Sequence, residues 1–119
     1  MDKLEIIFEL QQAFDSSLEK LRSLHGISTE QWIQKETLAM ISELSELIDE
    51  VNFKWWKNPK ELDYGAIKEE LVDILHFFVS MCLKVGMDAE ELFALYKKKN
   101  LENFRRQQGK SDKQGYQAV

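Results

Sequence analysis

Leu4, Ile7, Phe8, Phe14, Leu18 and Leu21, with Gln11 in the same series, recur at three- and four-residue steps, the period of one helix face. The spacing predicts a first amphipathic helix over roughly residues 3–23, closed by His25 and Gly26. Ser28 with Gln31 three residues later has the form of a capping box. Ile33, Thr37, Met40, Ile41, Leu44, Leu47, Ile48 and Val51 then hold one stripe for a long second helix. Between Asn52 and Tyr64 the period fails. Phe53, Lys54, Trp55, Trp56 and Lys57 run together, and Pro59 forces Asn58 out of helical geometry, so a loop is expected. A third helix is predicted from about Ala66 to Lys84, with Gly86 placed for a left-handed C-terminal cap. Asp88 and Glu91 repeat the capping-box form and launch a fourth helix, Ala89 to about Arg106. The pattern gives an all-α fold, a compact four-helix arrangement with short connections, as one domain over 1–106 followed by a polar tail, 107–119, expected to be mobile.

Composition narrows the class. At 119 residues the chain has the length of one domain, and five glycines and one proline are too few for an all-β protein that turns every ten residues. Cys82 is the only cysteine, which excludes a disulfide scaffold and suits a reducing compartment. Asp2, Lys3, Glu5 and Glu9 put charges where a signal peptide needs an apolar run, so none is expected. The longest low-charge stretch, Leu71 to Leu83, is 13 residues with Asp73 inside it, too short and too polar for a membrane span. A cytoplasmic protein is the expectation. Charge is uneven: residues 1–96 carry 9 basic and 19 acidic side chains, whereas 97–119 carry 7 and 2. An acidic body disfavours nucleic acid, while the basic end suits a compact anion such as a phosphate chain.

The acids supply the candidate chemistry. Glu43 and Glu46 stand one turn apart on the second helix, and Glu70 and Asp73 repeat that interval on the third. Glu36, Asp49 and Glu50 read as ordinary solvated acids. Asp73 lies in a run that is apolar nearly all round, which predicts a helix buried on most sides, and with His76 and Ser80 it forms a narrow polar stripe. An unpaired carboxylate there must be protonated, paired or metal-bound. Antiparallel packing of the second and third helices brings all four acids together, and such a cluster stays ionised only around a multivalent cation. Oxygen-only ligands suit Mg²⁺ or Mn²⁺. Mg²⁺ so held keeps positions open for phosphates. Lys99, Asn103 and Arg106 share one face of the fourth helix and could grip a phosphate chain. Lys54 and Lys57 flank Trp55 and Trp56, a pairing that suits a nucleobase carrying phosphates or, alternatively, a loop anchor plugging the helix layer.

Glu43-x-x-Glu46 followed after 23 residues by Glu70-x-x-Asp73 resembles the metal motif of the all-α nucleoside triphosphate pyrophosphohydrolases, the MazG-like superfamily. Lys99-x-x-x-Asn103-x-x-Arg106 is similar to its downstream phosphate-binding pattern. More narrowly, the Phe53–Lys57 segment, the run Glu70 to Phe77, and Lys99-Asn100 with Asn103, Arg106 and Gln107 resemble the dimeric, all-α dUTPases, over about Leu10 to Gln107. The resemblance implies Mg²⁺-dependent hydrolysis of dUTP to dUMP and pyrophosphate. Glu43, Glu46, Glu70 and Asp73 would bind the metal, and Glu46 would also orient or deprotonate the attacking water. Lys54, Lys57, Lys99 and Arg106 would hold phosphates; Gln11, Trp56, His76 and Asn103, with Asn100 nearby, would contact base and sugar. It also implies a homo-oligomer, most simply a dimer, and a tail that orders on substrate. The chain departs from that family in its short connection after the Trp-Trp segment, in Asp15 where several relatives have Asn, and in the spacing of Gly109 to Tyr116. These differences leave dCTP, dUDP or a damaged nucleotide as alternative substrates.

Two other classes compete. Asp73-x-x-His76 mimics half of a di-iron carboxylate site, but the only other histidine, His25, has no acid three residues before it. A non-enzymatic helical interaction module would use the leucine-rich faces instead, and would show no metal-dependent binding of a nucleotide.

Overall fold

The structure, a computed structural model, describes residues 1–110 and residue 115. Four α-helices follow one another: α1 (Lys3–Leu21), α2 (Thr29–Asp49), α3 (Tyr64–Lys84) and α4 (Ala89–Gln107), with no strand among the described residues. The chain divides into two units, Met1–Gly86 with α1 to α3 and Met87–Val119 with α4. The predicted tail falls largely on residues 111–114 and 116–119, which lie outside the described residues.

Local chemistry sets each boundary. Asp2 Oδ1 accepts from the Glu5 N–H at 2.8 Å and opens α1. α1 stops at Leu21, earlier than His25 and Gly26 suggest, because Ser23 already takes a left-handed backbone, φ 52°. The Ser28 and Gln31 capping box is complete, with both reciprocal bonds present at 3.1 and 3.0 Å. α3 begins two residues before its predicted start because the Asp63 carboxylate takes the Ala66 N–H at 3.1 Å. Gly86, at φ 80°, turns the chain out of α3 as expected, and its N–H reaches the Leu83 carbonyl at 3.1 Å. Asp88 caps α4 through the Glu91 N–H at 2.8 Å.

In the first unit α2 and α1 both pack on α3. Thr37 meets Met81, and Glu36 meets Ser80, while Glu43 and Glu46 lie near Asp73 and Glu70: residue numbers rise on α2 as they fall on α3, so the two run antiparallel. Gln11 meets His76 and Asp15 meets Ser80, so α1 runs in the same direction as α3. The loop after α2 is clasped by Asn52, whose amide bonds both backbone groups of Lys60 at 2.8 and 2.9 Å. Trp55 and Trp56 stack edge to face at 5.3 Å on this loop and remain exposed, so neither plugs the helix layer.

One expectation is overturned. The run 71–83 is not buried on most sides: Leu71 and Val72 are each more than half exposed, Leu75 is 42% exposed, and only Val79, Ser80 and Cys82 are buried. Within its unit α3 has neighbours along one side, and its apolar flank away from them is uncovered. Asp73 accordingly stands exposed, and the deeply buried acids are Asp15 on α1 and Glu36 on α2, the latter an acid that the sequence presents as ordinary.

Candidate functional site

A polar seam follows α3. At successive turns it presents Lys84, Ser80, His76, Asp73 and Glu70, and each meets a partner from α1 or α2. A cleft of about 440 Å³ opens along this seam, walled by Gln11, Asp15, Glu36, Glu43, Asp73, His76 and Ser80, with Phe14, Leu18 and Phe77 as its apolar sides.

At one end sit the acids. Carboxylate oxygens of Glu43, Glu46 and Glu70 all lie within 4.8 Å of one another, with Glu43 and Glu70 half-buried and Glu46 exposed. Glu43 Oε2 and Glu70 Oε2 are buried without a hydrogen-bond partner among the described residues. Loss of solvent pushes Glu70 up to about 7, and its neighbours Glu46 and Glu43 add to the effect. Glu43 is raised by burial, then by Glu46, and further by the charge of Asp73. Asp73 lies at the margin of the trio, bordering both the cleft and a shallow hollow beside Lys68 and Glu69. Three close acids with two orphaned oxygens, and with no cation paired to them among the described residues, form a donor set of oxygens that fits Mg²⁺ or Mn²⁺.

At the other end lies a hydrogen-bond network. His76 Nδ1 is 2.7 Å from Gln11 Oε1, and Gln11 Nε2 donates to Asp15 Oδ1 at 2.9 Å. Ser80 Oγ lies 2.7 Å from Asp15 Oδ2 and 2.8 Å from Glu36 Oε1. Lys84 Nζ pairs with Glu19 at 3.4 Å, approaches Asp15 at 4.0 Å, and covers the Trp32 ring at 4.4 Å. Burial raises the Glu36 carboxyl above its usual range, more than the Ser80 contact lowers it. Glu36 and Asp15 are the functional candidates that sequence reasoning left aside. A signal existed for Glu36: it falls three residues after Ile33 and four before Met40, on the stripe itself.

Lys54 pairs with Asp49 at 3.5 Å on the Trp-Trp loop, and neither it, Trp56 nor Lys57 walls the cleft. Lys99, Asn100, Asn103 and Arg106 belong to the second unit, where Arg106 Nη1 donates to Asn103 Oδ1 and Arg106 Nε to Glu102, both at 3.3 Å.

The family model described as dUTPase matches residues 3–91, which cover α1, α2, α3 and the start of α4. The chain belongs to the dUTPase family. Among curated relatives of this dUTPase-family chain, a dCTP pyrophosphatase of Enterobacteria phage LZ5 is 38% identical over 93 residues, 78% of this chain and 52% of that one. A dCTP pyrophosphatase of Enterobacteria phage T4 is 39% identical over 87 residues, 61% of this chain and 51% of its own length. A DNA replication protein of the same T4 phage is 38% identical over 80 residues, 56% of this chain and 20% of its own. The chain thus spans about half the length of the two dCTP pyrophosphatases it matches. No solved structure matches it. As a dUTPase-family member it has the all-α fold read from its sequence, and no helix among the described residues is long and apolar enough to cross a membrane.

Proposed function

We propose that the protein is a Mg²⁺-dependent pyrophosphohydrolase of deoxypyrimidine triphosphates that releases the nucleoside monophosphate and pyrophosphate, acting in the cytoplasm, where the free thiol of Cys82 stays reduced. The observation that carries this reading is that the acid cluster opens into the cleft: Glu43 and Asp73 share its walls with Gln11 and His76. Six residues of helix separate Glu70 from His76, about 9 Å at 1.5 Å per residue, the scale of a nucleoside. A base can therefore sit against Gln11 and His76, between Phe14 and Phe77, while its phosphates reach the acids.

Glu43, Glu46, Glu70 and Asp73 would hold Mg²⁺. When bound, the ion neutralises phosphate oxygens and acidifies water. Glu46, the exposed member of the trio, is the base or orienter for the attacking water. Lys54 and Lys57 would hold phosphates, with Trp56 at the base and sugar, while Lys99, Asn100, Asn103 and Arg106 of α4 keep the phosphate, base and sugar roles that the resemblance to the family implies. Residues 1–106 would be the working domain. The dCTP pyrophosphatases among its relatives favour dCTP as substrate. The dUTPase family favours dUTP as the second reading.

The core of one chain is small: Phe8, Val79, Cys82 and Ala89 are its buried hydrophobic residues among those described. Large apolar side chains on α1 and α3, such as Leu10 at 66% and Val72 at 53%, stay exposed on one chain and leave apolar surface for a partner to cover. A second copy, seated on the apolar hollow of about 510 Å³ lined by Ile7, Leu10, Val72 and Leu75, is the proposed partner, making a homodimer.

A screen of deoxynucleoside triphosphates for pyrophosphate release with and without Mg²⁺ tests the activity. Metal-dependent release from dCTP or dUTP is expected, and Asp73→Ala, at an exposed position, is expected to lose turnover at least a hundredfold with its helical circular dichroism intact. Release from no nucleotide would dismiss the reading.

A further inference from the structure

Two acids meet one hydroxyl at the inner end of the cleft. Asp15 on α1, Glu36 on α2 and Ser80 on α3 are all buried there and all wall the cleft. Ser80 Oγ is 2.7 Å from Asp15 Oδ2 and 2.8 Å from Glu36 Oε1. A hydroxyl has a single proton to give, and an ionised carboxylate has none. With both acids ionised, one of the two contacts would set lone pairs against lone pairs at hydrogen-bond distance. Both contacts are filled only if the acids keep one proton between them.

The surroundings favour that count. The charged groups facing Glu36 are Asp15 and Glu19 from α1 and Lys84 from α3, two acids against one base. Lys84 is already shared: it pairs with Glu19 at 3.4 Å and reaches Asp15 only at 4.0 Å. Asp15 Oδ1 takes the Gln11 amide at 2.9 Å, whereas Glu36 Oε2 is buried without a partner among the described residues. A second negative charge would have neither water nor a donor to receive it. Burial accordingly holds the Glu36 carboxyl above its usual range.

We propose that Asp15 and Glu36 hold one proton in common through Ser80, and that its loss as pH rises breaks this tie between α1 and α2 and opens the inner end of the cleft. At low pH the proton is bound in the folded and the unfolded chain alike. Above the ordinary carboxylate range the unfolded chain releases it while the folded chain retains it, so stability falls with each step in pH until the folded pair ionises too. Two anions then stand no farther apart than two hydrogen bonds laid end to end, and separation of the helices lets water reach both. Trp32 on α2 registers the movement, because Lys84 covers its ring at 4.4 Å while holding Glu19 of α1. The device needs no occupant in the cleft.

Glu36→Gln tests it, since the amide donates to Ser80 without a proton to lose. Melting temperatures of parent and variant are compared in chelator from about pH 5 to about pH 8. The parent is expected to fall behind the variant by about 4 °C for each pH unit over which the folded pair keeps its proton. Glu43 and Glu70 titrate in both proteins and cancel in the difference. Infrared spectra of parent minus variant are expected to show the carbonyl band of a protonated carboxyl, which a side chain that merely packs would not give. Trp32 emission, isolated by subtraction of Trp32→Phe, is expected to shift to the red as that band fades and to stay constant in Glu36→Gln. Asp15→Asn leaves a single carboxylate at Ser80 and is expected to remove the band and the pH dependence in the same way, which keeps the test open should Glu36→Gln not fold by circular dichroism. Melts that run parallel in parent and variants, or a parent without the band, overturn the shared proton. A band that fades while Trp32 emission stays constant overturns the opening.

Discussion

Glu70 makes the acid cluster measurable without any substrate. Its carboxyl is held at about 7 against an ordinary 4.5. Between those values the folded chain keeps a proton that the unfolded chain has released, so each step up in pH favours unfolding. The half-buried Glu43 is raised too and acts in the same direction. The metal-free protein is therefore expected to melt lower at about pH 7.5 than at about pH 5 in the presence of a chelator. Mg²⁺ prefers the ionised acids, so its addition should restore the loss at the higher pH, by about 2.7 kcal/mol at a hundredfold excess over Kd. Thermal melts at both values, with and without the ion, check this. Melting that rises with pH in chelator, or that ignores Mg²⁺ at the higher value, would mean that the three acids are separately solvated.

The elements rest on short-range signals that survive any change of partner. Ser28 and Gln31 satisfy two otherwise orphaned N–H groups of α2. Ser28→Ala is expected to cost about 1 kcal/mol, read as a lowering of the melting temperature by about 4 °C. No change would mean that the box is replaced by water at no cost. Caps of this kind, with the stripes of α1 and α2, made the four helices legible in the sequence, and the equal spacing of Glu43 with Glu46 and Glu70 with Asp73 made the acid cluster legible. Burial was less so. The apolar run of α3 gives no sign of which flank is covered, because Leu71, Val72 and Leu75 are as hydrophobic as Val79 and Cys82. Glu36 was hidden for the opposite reason: a charged residue on an apolar stripe declares itself only when the Ser80 and Asp15 it meets are known, and these come from 44 and 21 positions away.

At the scale of the molecule, the uncovered flank and the cleft are one problem. Gln11, Phe14 and His76 wall the cleft on one side and the apolar hollow on the other. A copy that covers Leu10, Val72 and Leu75 would therefore brace the back of the side chains that meet the base. Sedimentation at micromolar loading is expected to give twice the chain mass of 14.0 kDa. Val72→Asp puts a charge into the proposed interface, where its desolvation is unfavourable. It is expected to shift the protein to the single-chain mass and, because the braced wall loosens, to weaken nucleotide binding while the acid cluster still takes Mg²⁺. A variant that stays dimeric would place the contact on another face. One that becomes monomeric with undiminished nucleotide affinity would separate assembly from the site, and Gln11 and His76 would then be held by the Asp15, Ser80 and Glu36 network alone.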